Sequence, residues 1–222
     1  MKNFNFSLFL SLFFLIILLP ESVDAKRINK KVDEQGVDMP KVRIASFKGD
    51  KACAISYTFD DALRDQSILA APMLEKYGFR GTFWAIPSMV PETEEEILTN
   101  SKKEWGGITW KRLKEMSDNG HEISNHGWSH KNLVNLKSEQ EIRAEIEKAD
   151  SLILLKIGKK PRTFCYPYNA FNDQVLAIAM ENRVDTRTRC SGWGYRTTTQ
   201  WMNNWADGLI KKGEWGIPMI HA

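Results

Sequence analysis

The sequence is short of cysteine, of histidine and of net charge. It holds three cysteines in 222 residues, Cys53, Cys165 and Cys190, and no two of them form a C-x-x-C pair. A zinc site built on thiolates is therefore argued against, and at most one disulfide can form. Cys53 lies in an apolar run and reads as a small buried hydrophobe. With so few covalent ties, a domain of this length must rest on its apolar core, and 42% hydrophobic residues suffice for one. The formal charge of +3 is too weak to point to nucleic acid. Mild basicity suits an anionic cell-wall or lipopolysaccharide surface instead. No internal repeat of useful length is present.

Long apolar runs are also missing, with one exception. Residues 6–20 are almost entirely Phe, Leu and Ile, preceded by Lys2 and followed by Val23-Asp24-Ala25. A short basic start, an apolar stretch and small residues before a cut site are the grammar of a secretory signal peptide. The run is shorter than the roughly 20 residues a membrane span needs, which leaves an uncleaved N-terminal anchor as the competing reading. No cysteine stands near the cut for a lipid anchor. The expected organisation is a signal peptide over residues 1–25, a polar leading arm over 26–50 and one domain over 51–222. The mature chain, lacking a stable membrane span, would be secreted, periplasmic or held at the cell envelope.

Beyond residue 50, strand and helix signals alternate. Strands are expected over residues 52–59, 81–86, 121–125, 163–166, 183–188 and 216–220. Helices are expected over 67–77, ending at Gly78, and from a Thr109 cap through Met116 to Asn119-Gly120. A long amphipathic helix capped by Ser138 would bury Ile142, Ile146, Ala149, Ile153 and Leu154 and leave Glu139, Glu145 and Lys148 outside. Asn172 caps another helix over 173–181. Residues 92–107 read as a loop with a short helix, and residues 191–213 show no clear period. Alternating strands and helices imply a parallel sheet with right-handed crossovers. Asp60, Asp61, His126, Tyr168 and His221 collect just after strands, where parallel α/β folds place their active face.

Asp60 and Asp61 are adjacent carboxylates that cannot both point the same way from an extended chain. One can bind a metal while the other faces substrate; an Asx turn or helix cap is the plainer reading. His126 and His130 are four apart, so one helical turn would place both imidazoles on one side, against the plainer reading of a satisfied core or surface pair. The chain has only four histidines. With Asp61 these two would supply two nitrogens and one oxygen and leave a coordination position open, as catalytic zinc requires. His221, after the last strand, can serve as a general acid near neutral pH, though a terminal histidine is often idle. His121 reads as structural.

These pieces resemble the NodB-homology polysaccharide deacetylases, carbohydrate esterase family four, in the family's order. Thr58-Phe59-Asp60-Asp61 is similar to its first motif and Asn125-His126 through Ser129-His130 to its second. Phe164-Cys165-Tyr166-Pro167-Tyr168 is similar to the third, Trp193 to the fourth, and Ile217-Pro218-Met219-Ile220-His221 to the fifth. The resemblance implies a deformed (β/α) barrel and metal-dependent removal of N- or O-acetyl groups from a polysaccharide or oligosaccharide. It implies Asp60 as base, Asp61, His126 and His130 as ligands of a divalent metal, zinc in first place with cobalt or manganese as alternatives, Tyr168 N–H at the oxyanion and His221 as acid. Pro167, Tyr168 and Trp193 would contact substrate, and Trp128, Trp201 and Trp205 are further stacking candidates whose plainer reading is packing.

Three departures stand out. Cys165 occupies the place of an arginine that orients the base in the family, leaving Arg162, Arg187 or Arg189 to substitute. Asn169 stands where glycine is common. The family continues with a helix beyond the fifth motif, which a chain ending at Ala222 would lack. Two rival readings therefore accompany the deacetylase: an inactive relative that binds glycans, and a metal-dependent hydrolase of small amides.

Overall fold

Parallel strand pairing brings residues far apart in sequence to one edge of one sheet. In this computed structural model residues 43–99 and 107–221 are described. The expected signal peptide and most of the leading arm lie outside them, and Ala45–Ala222 forms one contact unit. The elements run β1 (Ala54–Ile55), β2 (Thr58–Phe59), α1 (Ala71–Lys76), β3 (Thr82–Ala85), α2 (Glu94–Thr99), α3 (Trp110–Asp118), β4 (Glu122–Asn125), α4 (Glu139–Ile157), β5 (Thr163–Cys165), α5 (Asp173–Met180), β6 (Asp185–Arg187), β7 (Ser191–Trp193), α6 (Thr199–Lys212), β8 (Trp215–Gly216) and β9 (Pro218–Ile220).

The main sheet has the order β6-β5-β4-β3-β2-β9-β7, and β1 pairs with β8 in a small second sheet. Every pairing is parallel. The outer strands β6 and β7 do not pair with each other among the described residues, so the curled sheet stays open, a deformed (β/α) barrel. Register levels the strand ends: Phe59 lies opposite both Phe83 and Ile220, Cys165 opposite Arg187, and Trp193 opposite Ile220.

Helix boundaries follow local chemistry. Thr109, Ser138 and Asn172 each accept a backbone N–H of the first turn of α3, α4 and α5, and Gly158 closes α4 in the left-handed conformation. Phe59, Phe83, Leu113, Met116, Ile123, Ile153 and Ile157 form one core cluster beneath the sheet, with Phe59 and Phe83 stacked at 4.7 Å. Burying each such side chain contributes about 1.5–3 kcal/mol.

Several expectations need correction. The run over 52–59 is two short strands, β1 and β2, and the helix expected over 67–77 begins as a π turn over Gln66–Ala70 before α1. The aperiodic stretch over 191–213 contains β7 and helix α6. There Trp201, Trp205 and Leu209 are spaced four apart, but Asn203, Asn204, Asp207 and Gly208 dilute the apolar signal. On α4, Leu154 is 47% exposed, whereas Glu145 is only 6% exposed and belongs with the buried face. All three cysteines are free thiols. No described helix is long and apolar enough to cross a membrane.

Candidate functional site

The C-terminal ends of β2, β4, β5, β6 and β9 converge on two carboxylates. The sheet ladder runs past the strand ends and fixes the backbone there: Asp60 N–H donates to the Ile220 carbonyl and His126 N–H to the Ala85 carbonyl, both at 3.0 Å. Buried Gln66, at the start of the π turn, donates to the Asp60 carbonyl at 2.6 Å. The chain then bends sharply, with Asp61 and Ala62 at φ 73° and 53°. Left-handed backbone at two successive non-glycine residues is held by its surroundings. Its effect is to aim the two neighbouring carboxylates differently.

Asp61 faces the histidine pair. Its Oδ1 lies 3.5 Å from Nε2 of both His126 and His130. That is long for a hydrogen bond, and Oδ1 is buried with no hydrogen-bond partner. Two atoms that each sit about 2.1 Å from one tetrahedral ion are about 3.4 Å apart. One ligand atom from each of Asp61, His126 and His130 lies within 4.8 Å of the others. The three residues thus fit a divalent ion, and the orphaned oxygen marks where it would bind. His126 Nδ1 pairs with the Cys165 carbonyl at 2.8 Å, which makes Nδ1 the protonated nitrogen and frees Nε2 for a metal.

Electrostatics act differently on the three side chains. Burial pushes the Asp61 carboxyl up, but the contact with His126 and the charges of His126, His130 and His221 outweigh it and hold the group below its usual value. Burial, with His126 beside it, lowers His130 and keeps that imidazole neutral. Burial would also lower His126, yet the neighbouring Cys165, Asp61 and Asp60 groups together raise it well above the ordinary value.

The expected helical turn from His126 to His130 is not formed. Gly127 takes φ 79° and His130 φ 56°, and Trp128 N–H donates to the Glu145 carbonyl of α4 rather than to its own segment. The imidazoles nonetheless converge, with ring centroids 5.0 Å apart. A loop pinned from outside does what the helix was expected to do.

Asp60 is held by an arginine, and it is Arg187. From the last position of β6, Arg187 Nη1 and Nη2 donate to Asp60 Oδ1 and Oδ2 at 2.7 and 2.5 Å. Nη1 also reaches Thr58 Oγ1 at 3.0 Å, and the guanidinium lies over the Trp84 ring at 4.4 Å. Both side chains are buried. Cys165, buried beside them, places Sγ 3.8 Å from Asp60 Oδ2, and burial raises its thiol pKa so that it stays protonated. Register explains the geometry, since Arg187 pairs directly with Cys165 across β5 and β6. Sequence left this role open among three arginines; only strand pairing separates Arg187 from Arg162 and Arg189.

His221 joins the group after β9. Its Nε2 lies 3.6 Å from Asp60 Oδ2 and 3.8 Å from Asp61 Oδ2, with the side chain 46% exposed. Pro167 is buried beside Gly127. Tyr168 sits in a left-handed turn with Asn169, φ 62° and 52°, and its exposed ring lies 4.7 Å from that of His130. The structure brings the side chains of Asp60, Asp61, His126, His130 and His221 together, with Tyr168 at their rim. Trp193 ends β7 next to β9 but packs against Trp201, Trp205 and Tyr57, which supports packing as its first role. His121 is structural: its Nδ1 accepts the Gly81 N–H at 3.0 Å.

Comparison with known proteins bears on the family and the fold. A family model described as polysaccharide deacetylase matches residues 48–186. Chitin deacetylase 1 of Cryptococcus neoformans is 32% identical over 124 residues, which is 56% of this chain and 23% of that protein. Peptidoglycan-N-acetylmuramic acid deacetylase PdaC of Bacillus subtilis is 26% identical over 167 residues, 72% of this chain and 31% of that protein. The chain thus spans under a third of the length of either relative. The carbohydrate esterase family four domain of a multidomain xylanase, from the hindgut metagenome of Trinervitermes trinervoides, shares the fold with a TM-score of 0.53 at 23% identity. It covers 77% of this chain and 74% of that one.

Proposed function

The chain belongs to the polysaccharide deacetylase family, and from that premise we propose that it is a metal-dependent hydrolase removing acetyl groups, N-acetyl in preference to O-acetyl, from an extracellular or cell-envelope glycan such as peptidoglycan, a chitin-like polymer or xylan. The observation that carries this reading is the pair of neighbouring carboxylates with separate partners: Asp61 turned to two imidazoles, Asp60 gripped by Arg187.

A divalent ion at Asp61, His126 and His130, zinc in first place with cobalt or manganese as alternatives, would supply Lewis acidity toward the acetyl carbonyl and acidify a water. Asp60 accepts the proton of the attacking water as general base. Arg187 supplies the counter-charge to that carboxylate and fixes its plane, since a forked guanidinium allows one orientation only. The Tyr168 N–H stabilises the developing oxyanion. His221, partly exposed beside Asp60, returns a proton to the leaving nitrogen or oxygen. Of the residues expected to contact substrate, exposed Tyr168 is the one this reading retains, while Pro167 is buried and Trp193 packs against Trp201, Trp205 and Tyr57. A secreted or envelope location follows from the signal-like residues 1–25.

The Arg187–Asp60 pair supports the active reading over an inactive glycan-binding relative on one of its two grounds, the loss of an arginine at Cys165. Acetate release is to be measured on acetylated chitooligosaccharide, acetylxylan and peptidoglycan with added metals. Release that stops on chelation and returns with zinc is expected. Bound metal with no acetate from any glycan would favour the binding reading, and turnover of small amides alone the third.

A further inference from the structure

Glu145 was expected on the outer face of α4, yet it is 6% exposed and its carboxylate is turned to Ser129 of the His126–His130 segment. A carboxylate is left buried only when it is fully paired. Here Oε2 accepts the Ser129 N–H at 2.9 Å, Oε1 and Oε2 accept the Ser129 hydroxyl at 2.9 and 3.0 Å, and Lys131 Nζ stands 3.2 Å from Oε1. Its own backbone carbonyl takes the Trp128 N–H at 2.8 Å. One residue of a rigid helix therefore holds the two consecutive residues that directly precede His130.

The two imidazoles are carried by different backbone settings. His126 follows β4 directly, with its N–H in the sheet ladder and its Nδ1 on the Cys165 carbonyl. Asn125 before it is tied to the Ile146 carbonyl and to Asp150 of α4. His130 lies four residues further along a loop, in left-handed backbone at φ 56°. A non-glycine residue persists there only where its surroundings over-determine it. The contacts that do so on its N-terminal side run to Glu145, while Lys148 of the same helix lies over the Trp128 ring at 3.9 Å.

We propose that Glu145 is a positioning residue for the metal site, fixing the His126–His130 loop so that His130 is preorganised as a ligand. It does not reach the ligand atoms itself; it acts through Ser129 and Trp128. The inference rests on the reading of Asp61, His126 and His130 as metal ligands. Outer partners of metal ligands typically change affinity about 10- to 100-fold when removed, and that is the effect expected here.

Zinc affinity of the full chain is to be measured by chelator competition for the unaltered protein, Glu145→Ala, Ser129→Ala and Lys131→Met, together with the visible spectrum of the Co2+-loaded forms. Glu145→Ala should weaken zinc about 10- to 100-fold and change the Co2+ bands, while a purely structural helix residue would lower the unfolding temperature and leave the spectrum unchanged. Ser129→Ala should move in the same direction by less, since the Ser129 N–H contact survives. Lys131→Met should bind as the unaltered protein does, because Lys131 is 59% exposed and touches only the rim of the clamp. Wild-type affinity and an unchanged Co2+ spectrum in a folded Glu145→Ala protein overturn the proposal. Should that variant not fold, the same wild-type behaviour in Ser129→Ala overturns it. If the unaltered protein itself takes up no zinc, the metal-site reading fails first and the Glu145 role falls with it, which distinguishes the two failures.

Discussion

Replacing Arg187 by alanine probes the least expected feature of the site. The substitution removes both donors to Asp60, at 2.7 and 2.5 Å, one donor to Thr58 and the stacking on Trp84. It leaves a carboxylate whose side chain is 3% exposed without its counter-charge. Breaking a buried pair by deleting one partner costs about 3–5 kcal/mol. In a domain of this size each kcal/mol shifts the unfolding temperature by about 2–4 °C, so a fall of roughly 6–20 °C is expected by calorimetry. The catalytic loss is separable, because an Asp60 that has rotated away forfeits a general-base contribution of about 10²–10⁴. Arg187→Lys retains the charge but not the fork and should fall between alanine and the unaltered protein in acetate release. Metal content should persist in both variants, since the hydrogen bonds of Arg187 run to Thr58, Asp60 and Asn169. An Arg187→Ala protein that releases acetate at the original rate would refute the assignment of Asp60 and Arg187 as base and holder.

His221→Ala should lower turnover about 10²-fold or more, with metal content unchanged and stability within about 0.5 kcal/mol, because the side chain is 46% exposed; an unaltered rate would return His221 to an idle terminal residue. Chelating the metal should lower the unfolding temperature, since a ligand at 100 times its dissociation constant stabilises by about 2.7 kcal/mol, and thermal scans with and without chelator check this. Ile153→Ala, at a fully buried core position, should cost about 2–5 kcal/mol in urea unfolding and leave zinc affinity unchanged.

That the carboxylate pair and the two histidines would converge was legible because strand ends in a parallel sheet collect polar groups. The parallel order of the strands was legible from their alternation with helices. What the sequence could not show depends on register and on contact from other elements. Arg187 is one of several arginines until β6 is laid beside β5 with Cys165 opposite. Glu145 looks like one more solvated glutamate because α4 is rich in them; only the loop folded against it reveals a buried acceptor. Helix α6 escaped because its apolar spacing is thinned by asparagine and glycine, and Gln66 because a π turn shifts the helical phase that would have marked it as buried.

The most direct measurement is the metal content of the purified chain beside Asp61→Ala and His126→Ala after equilibration with limiting zinc. About one equivalent in the unaltered protein and a loss of most of it in both variants is the predicted result. Full occupancy in His126→Ala would contradict the site on which the whole reading stands.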